Sequence, residues 1–188
     1  ISFTGSTGVG VQVAQAATAR GIPAQAEMGG LKGRGARHSI PVPGGHALLI
    51  DESYNANPLS MAAGFRSLGA RPASGRRVVV LTDMLELGDQ SRALHEGLAA
   101  SIDAAGLDLV HAAGPQMRWL HEALPVSRRG LWRETAAELA AEAAMLVAPG
   151  DIVMVKGSNG SKASLIAEAL ADLNSAAPSN SGAPRATR

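Results

Sequence analysis

Four short apolar runs, at residues 47–50, 77–81, 107–112 and 151–155, alternate with helical stretches at 59–68, 91–105, 115–124, 134–147 and 162–173. No other feature constrains the fold as much. Strands that alternate with helices through short, glycine-containing connections predict an α/β domain, a parallel or mixed sheet flanked by helices. In the helix expected after Ser91, Leu94, Leu98 and Ile102 recur every four residues and form one core-facing stripe. The alanine-rich stretch 136–144 favours helix by propensity and permits close packing on a sheet.

At 188 residues the chain suits one domain, or one domain with an appendage. Hydrophobic residues make up 46% of it, enough for a sizeable core, and aromatics at 3% make that core aliphatic. A net charge of +1 gives no general electrostatic argument for nucleic-acid or membrane binding. Zero cysteines exclude disulfides, thiolate metal sites and cysteine nucleophiles, and they fit a reducing, cytoplasmic setting. No apolar run approaches the roughly 20 residues of a membrane span, and no charged-then-apolar signal peptide opens the chain. The first residue is Ile1 rather than Met, as expected of a sequence that starts inside a longer product. From Asn174 onward Ser, Ala, Pro, Gly and Arg follow with no apolar period, so 174–188 reads as a disordered tail.

The run Asp51-Glu52-Ser53-Tyr54-Asn55-Ala56-Asn57-Pro58 directly follows the apolar Ala47-Leu48-Leu49-Ile50. Acid, hydroxyl, phenol and two amides thus emerge together at a strand's carboxyl end, where α/β sheets bind ligands. The plain alternative is a turn, because Asn-Ala-Asn-Pro is rich in turn formers and Pro58 suits a helix's first position. A second exit loop, Thr82-Asp83-Met84-Leu85-Glu86-Leu87-Gly88, carries two acids, and Asp83 or Asp89 could instead cap a helix. A third, Lys156-Gly157-Ser158-Asn159-Gly160-Ser161-Lys162, sets a lysine, glycines and hydroxyls before a helix, a pattern receptive to anions. Its alternative is a glycine-rich helix entry with Ser161 as N-cap. His95, four residues after Ser91, reads as a solvated or core-edge histidine rather than a catalytic base.

The segment ID-E-SYNANP-x-SM resembles the signature of the MurF family, the UDP-N-acetylmuramoyl-tripeptide–D-alanyl-D-alanine ligases. Gly33-Arg34-Gly35, the run from Val78 to Gly88 and Val155-Lys156-Gly157-Ser158 match the same family in the same order. The resemblance covers roughly residues 31–173 and implies the family's Rossmann-like C-terminal domain at 51–173, preceded at 31–50 by an edge of the central ATPase domain and the hinge. The family activates a substrate carboxylate with ATP as an acyl phosphate. The amine of D-Ala-D-Ala then attacks, and ADP and phosphate leave. ATP and Mg2+ are therefore the implied cofactors, with the magnesium ligands mostly outside this chain, and UDP-MurNAc-tripeptide and D-Ala-D-Ala the implied partners. The UDP-sugar domain and the Gly-Lys-Thr loop are not in the sequence, so the isolated chain is expected to be inactive.

By the same resemblance Arg34 would approach ATP from the hinge side, where a planar, permanently charged guanidinium suits phosphate or ribose oxygens. Asp51, or its neighbour Glu52, would bind the nucleotide ribose. Tyr54 would lie against adenine or be a half-buried turn aromatic. Asn55 and Asn57 would recognise ligand or cap the hinge loop. Asp83 and Glu86 would orient the amine-bearing dipeptide, and the loop of Lys156 and Ser158 would hold its carboxylate. Two functions of other classes stay open: a non-catalytic small-ligand or partner-binding module, and a remnant of an oxidoreductase.

That last alternative comes from residues 1–30. There Ile1-Ser2-Phe3-Thr4-Gly5-Ser6-Thr7-Gly8-Val9-Gly10, Gly21-Ile22-Pro23 and Glu27-Met28-Gly29-Gly30 resemble the cofactor-binding segment of NAD-dependent aldehyde dehydrogenases. A phosphate-binding loop would need Gly-Lys-Ser/Thr, which this turn lacks. The aldehyde dehydrogenase nucleophile is a cysteine, which this chain also lacks, so that chemistry is excluded. A foreign N-terminal segment joined near Gly30-Leu31 is the expectation.

Overall fold

The computed structural model describes residues 32–173; the segment read at 1–30 and the tail expected at 174–188 lie outside the described residues. A hairpin comes first. Strand β1 (Ala36–Val42) turns back through Gly44, at φ +90, into β2 (Gly45–Glu52). Then follow α1 (Pro58–Gly69), β3 (Arg77–Thr82), α2 (Ser91–Ala104), β4 (Leu109–Ala113), α3 (Met117–Ala123), β5 (Arg129–Arg133), α4 (Ala136–Ala141), β6 (Ile152–Lys156) and α5 (Ala163–Asp172). The strands form one sheet in the order β1-β2-β6-β3-β4-β5, antiparallel between β1 and β2 and parallel elsewhere.

The central strands are buried on both faces, which is why they read as unbroken apolar runs. Their side chains alternate between two cores. Val79, Leu81, Ile152 and Met154 pack with Met61, Phe65 and Leu68 of α1, Leu98 and Ile102 of α2 and Met117 and Leu120 of α3. Val78, Val80, Val153 and Val155 pack on the other face with Leu139 of α4 and Ile166, Ala167 and Leu170 of α5. Each fully buried Val, Leu, Ile, Met or Phe side chain among them stabilises the fold by roughly 1.5–3 kcal/mol. Helices α1 to α3 therefore cover one face and α4 and α5 the other. The change of face comes with the return from β5 through α4 to β6, which inserts between β2 and β3. The loops leaving β2 and β3 and the loop leaving β6 thus run to opposite faces, the arrangement in which α/β sheets bind ligands outside the strands' carboxyl ends.

Two strands were not expected from the sequence. Both lie at edges, where apolar runs are not required. β1 buries Ala36 and Ile40 between exposed polar residues, and β5 begins and ends with arginine. The division expected between residues 50 and 51 falls inside β2, which carries both sides of it. Helix 134–147 is also shorter than expected. Thr135 and Glu138 form a capping box that starts α4 at Ala136, and a 3-10 turn, Ala143–Met145, follows its end.

Candidate functional site

Asp51, the penultimate residue of β2, is 5% exposed, and both of its carboxylate oxygens are engaged. Oδ2 accepts the Gly33 N–H at 2.9 Å and Oδ1 the Ser53 N–H at 3.0 Å. Its carbonyl accepts the Gly35 N–H at 2.7 Å, and Tyr54 N–H donates to the Gly33 carbonyl at 3.0 Å. The turn before β1 is thereby fastened to the end of β2. Gly33 and Gly35 take φ of +74 and +85, a region natural to glycine. Between them Arg34 is exposed, its guanidinium 4.0 Å from the centroid of the half-exposed Tyr54 ring. That stack joins a cation to a planar aromatic surface.

Beyond Tyr54 the amides serve the backbone. Asn55 Oδ1 accepts its neighbour's N–H from Ala56 at 2.8 Å. Asn57 caps α1 in a reciprocal capping box with Ser60, and Pro58 holds the first helical position. The turn reading of this segment describes these two residues.

The loops after β2, β3 and β6 are bonded to one another. Lys156 Nζ donates to the Asn55 carbonyl at 3.0 Å and lies 3.8 Å from Glu52 Oε2. Its side chain is buried, and that burial lowers its pKa below the usual lysine value while Glu52 pulls the other way. Ser158 Oγ accepts the Leu85 N–H at 3.1 Å and donates to the Ala56 carbonyl at 3.4 Å. Thr82 and Ser161 share a hydroxyl–hydroxyl bond of 2.6 Å. Gly157 passes so close that a Cβ there would overlap Thr82 Oγ1.

Asp83 is buried and turns toward α3. Oδ1 accepts the Met117 N–H at 2.8 Å and Oδ2 that of Gln116 at 3.4 Å. Burial raises its pKa above the ordinary carboxylate value, against the pull of those two amides. Glu86 in the same loop is exposed and takes φ +62, unusual for a residue with a side chain. All nine candidate residues therefore gather in the turn before β1 or at the carboxyl ends of β2, β3 and β6. Arg34, Tyr54 and Glu86 present themselves to solvent, whereas Asp51, Asp83, Lys156 and Ser158 are buried and bonded inward.

Sequence reasoning undervalued His95, which is fully buried and bonded to Met84 in the loop after β3. The signal was present: His95, Leu98 and Ile102 recur at i, i+3 and i+7, the helical core spacing. Among the described residues no group of three or more histidines, aspartates or glutamates is placed to hold a metal ion. No magnesium site is assigned to these residues. Arg34 and Tyr54 set an exposed cation and an aromatic surface side by side. A pocket of about 280 Å³ lined by His46, Ser74 and Asp151 lies at the amino ends of the strands, away from this site.

A mostly parallel sheet covered on both faces, with polar loops gathered at one end of its strands, defines a Rossmann-like α/β domain. The chain belongs to the Mur ligase family: residues 41–159 match the domain described as "Mur ligase, glutamate ligase domain". Its relatives include the UDP-N-acetylmuramoyl-tripeptide–D-alanyl-D-alanine ligase of Escherichia coli, 35% identical over 125 residues, which are 65% of this chain and 26% of that protein. The enzyme of the same name from Mycobacterium tuberculosis is 33% identical over 155 residues, covering 71% of this chain and 30% of that protein. Among solved structures, a MurF from Acinetobacter baumannii superposes with a TM-score of 0.61 and 28% identity, covering 75% of this chain and 31% of that one. The MurF ligase of Thermotoga maritima in complex with ADP shares the fold, with a TM-score of 0.63 at 23% identity over 86% of this chain and 36% of that one. The chain spans roughly a quarter to a third of the length of these curated relatives.

Among the described residues no helix is long and apolar enough to cross a membrane.

Proposed function

We propose that this chain is the part of a D-Ala-D-Ala-adding ligase that binds the incoming dipeptide and closes over ATP in the cytoplasm. The rest of the machinery, including the UDP-MurNAc-tripeptide site and the magnesium ligands, belongs to other domains of the full enzyme. Residues 31–50 would contribute the hinge and 51–173 the C-terminal domain. The observation that carries the reading is the set of bonds joining the loops after β2, β3 and β6 into one crest beside the Arg34–Tyr54 stack. A rigid crest holds its exposed groups in place without ordering them anew when substrate arrives.

In this reading Arg34 meets nucleotide oxygens and Tyr54 supports the guanidinium. Asp51 holds the turn that carries Arg34, and Asn55 and Asn57 shape the loop beneath it. Glu86 faces the dipeptide amine, with Asp83 fixing its loop on α3. Lys156 and Ser158 support the floor on which the dipeptide carboxylate would rest, and the lowered pKa of Lys156 follows from that buried position.

A domain exchange tests the proposal. With ATP, magnesium, UDP-MurNAc-tripeptide and D-Ala-D-Ala, the chain alone releases no phosphate above background. Grafted in place of the matching region of the Escherichia coli relative, it restores release that requires all three substrates. A folded graft that stays silent while the native enzyme turns over would sink the reading.

A further inference from the structure

Three consecutive residues of the loop after β3 are each held by a different element. The Asp83 carboxylate is taken by the amides of Gln116 and Met117 at the start of α3. The Met84 N–H donates to His95 Nε2 of α2 at 3.1 Å. The Leu85 N–H donates to Ser158 Oγ, beyond β6, at 3.1 Å. The next residue, Glu86, is the exposed carboxylate held at φ +62. A left-handed conformation in a glutamate persists where the surrounding structure over-determines it, and these bonds supply that determination.

Of the three holds, the one made by His95 is chemically the most demanding. Its Nδ1 lies 2.8 Å from the Ser91 carbonyl, which can only accept, so Nδ1 carries the proton. Nε2 faces an amide that can only donate and must therefore be bare. The ring is 0% exposed and packs edge-on against Trp119, with centroids 6.3 Å apart. Ser91 Oγ is itself bonded to Gln116 Oε1, which ties α2 to the same first turn of α3 that receives Asp83. Every polar atom of the imidazole is thus committed to a single tautomer.

We propose that His95 is a positioning residue for the dipeptide site: protonated on Nδ1, it fixes the Met84 backbone and so sets where Glu86 stands. The link to the dipeptide rests on the reading of Glu86 given above, whereas the hold on Met84 does not. His95 touches no reacting atom. It works through the loop.

The test uses the full chain labelled with 15N and two variants. Gln places an amide oxygen near the position of Nε2, so His95→Gln keeps an acceptor for Met84, and His95→Leu removes it. The expected spectra show the His95 proton on Nδ1 and slow exchange at Met84. In His95→Leu, exchange of the Met84 and Leu85 amides quickens by about tenfold or more while the β4 and β6 amides keep their protection. D-Ala-D-Ala shifts the Glu86 amide in the wild type, His95→Leu weakens that binding about tenfold, and His95→Gln stays within about twofold. A proton on Nε2, or equal losses in both variants, would overturn the positioning role. No wild-type shift with dipeptide would instead overturn the reading of Glu86, with the tautomer and exchange results still deciding the hold on Met84.

Discussion

Lys156 Nζ donates to the carbonyl oxygen of Asn55 at 3.0 Å, so the amine at the end of β6 is spent on the loop after β2. A lysine that reaches a carbonyl from a buried position holds the crest together as much as it attracts anions. Burial makes the folded chain release this proton more readily than the unfolded chain, whose lysine keeps its ordinary value near 10.5. Between the lowered folded pKa and 10.5 the unfolded chain binds more protons, so this residue makes stability rise with pH across that window. Urea denaturation in the alkaline range should show a steeper rise for wild type than for Lys156→Met. Parallel slopes would mean that Lys156 is not buried as described.

Asp51 separates two roles that the sequence alone leaves merged. A ribose ligand could be lost without harm to folding, but the carboxylate here satisfies the Gly33 and Ser53 amides. Asp51→Ala leaves both without that acceptor in a buried place, and we expect a loss of roughly 2–3 kcal/mol in denaturant unfolding. The variant should also free the turn carrying Arg34, so that ATP protects it less from heat than it protects the wild type. Unchanged stability with lost ATP protection would assign Asp51 to the ligand alone.

His111 gives the fold an acid-sensitive point away from the crest. Its Nδ1 accepts the Leu131 N–H at 2.9 Å, and Gly130 leaves room for the ring. Burial first, and the positive Arg76 second, lower its pKa from 6.5 to about 4. Between those values the unfolded chain takes up the proton that the folded chain refuses. Above pH 6.5 neither state carries it and nothing is lost; stability then falls as pH drops toward about 4. The full effect is on the order of 3 kcal/mol. His111→Asn keeps an acceptor near Nδ1 for Leu131, so its unfolding free energy should fall less steeply than that of wild type over this interval. Matching slopes would place the acid sensitivity elsewhere.

The central strands were legible because parallel strands buried on both faces must be apolar, as Val78, Val79, Val80 and Leu81 are. The edge strands β1 and β5 were not, because His38 and Arg129 can face water there without cost to a ladder. The site was legible as a place, since polar residues just past apolar runs fall at strand ends. Their division of labour was hidden. Asp83 and Glu86 look alike in sequence, but whether a carboxylate meets the amides of a helix entered 33 residues later depends on how β3 sits beside α3. Gly114, at φ +116, makes that meeting possible, for a Cβ there would overlap the Asp83 carboxylate.

Glu86 allows strain and charge to be measured apart. A side chain at φ +62 costs about 1 kcal/mol relative to glycine, partly offset by glycine's greater freedom in the unfolded chain. Glu86→Gly should therefore raise stability by roughly 0.5–1 kcal/mol, whereas Glu86→Ala keeps the strain and should leave stability nearly unchanged. Both variants lack the carboxylate, so both should lose D-Ala-D-Ala affinity to a similar degree if charge is what the dipeptide amine meets. Paired denaturation and calorimetric titration decide it. Affinity retained in Glu86→Ala but lost in Glu86→Gly would show that the loop's fixed shape, not the carboxylate, holds the dipeptide. The strained conformation would then be maintained for the path of the backbone, and the bonds from His95, Ser158 and the α3 amides would be its cause.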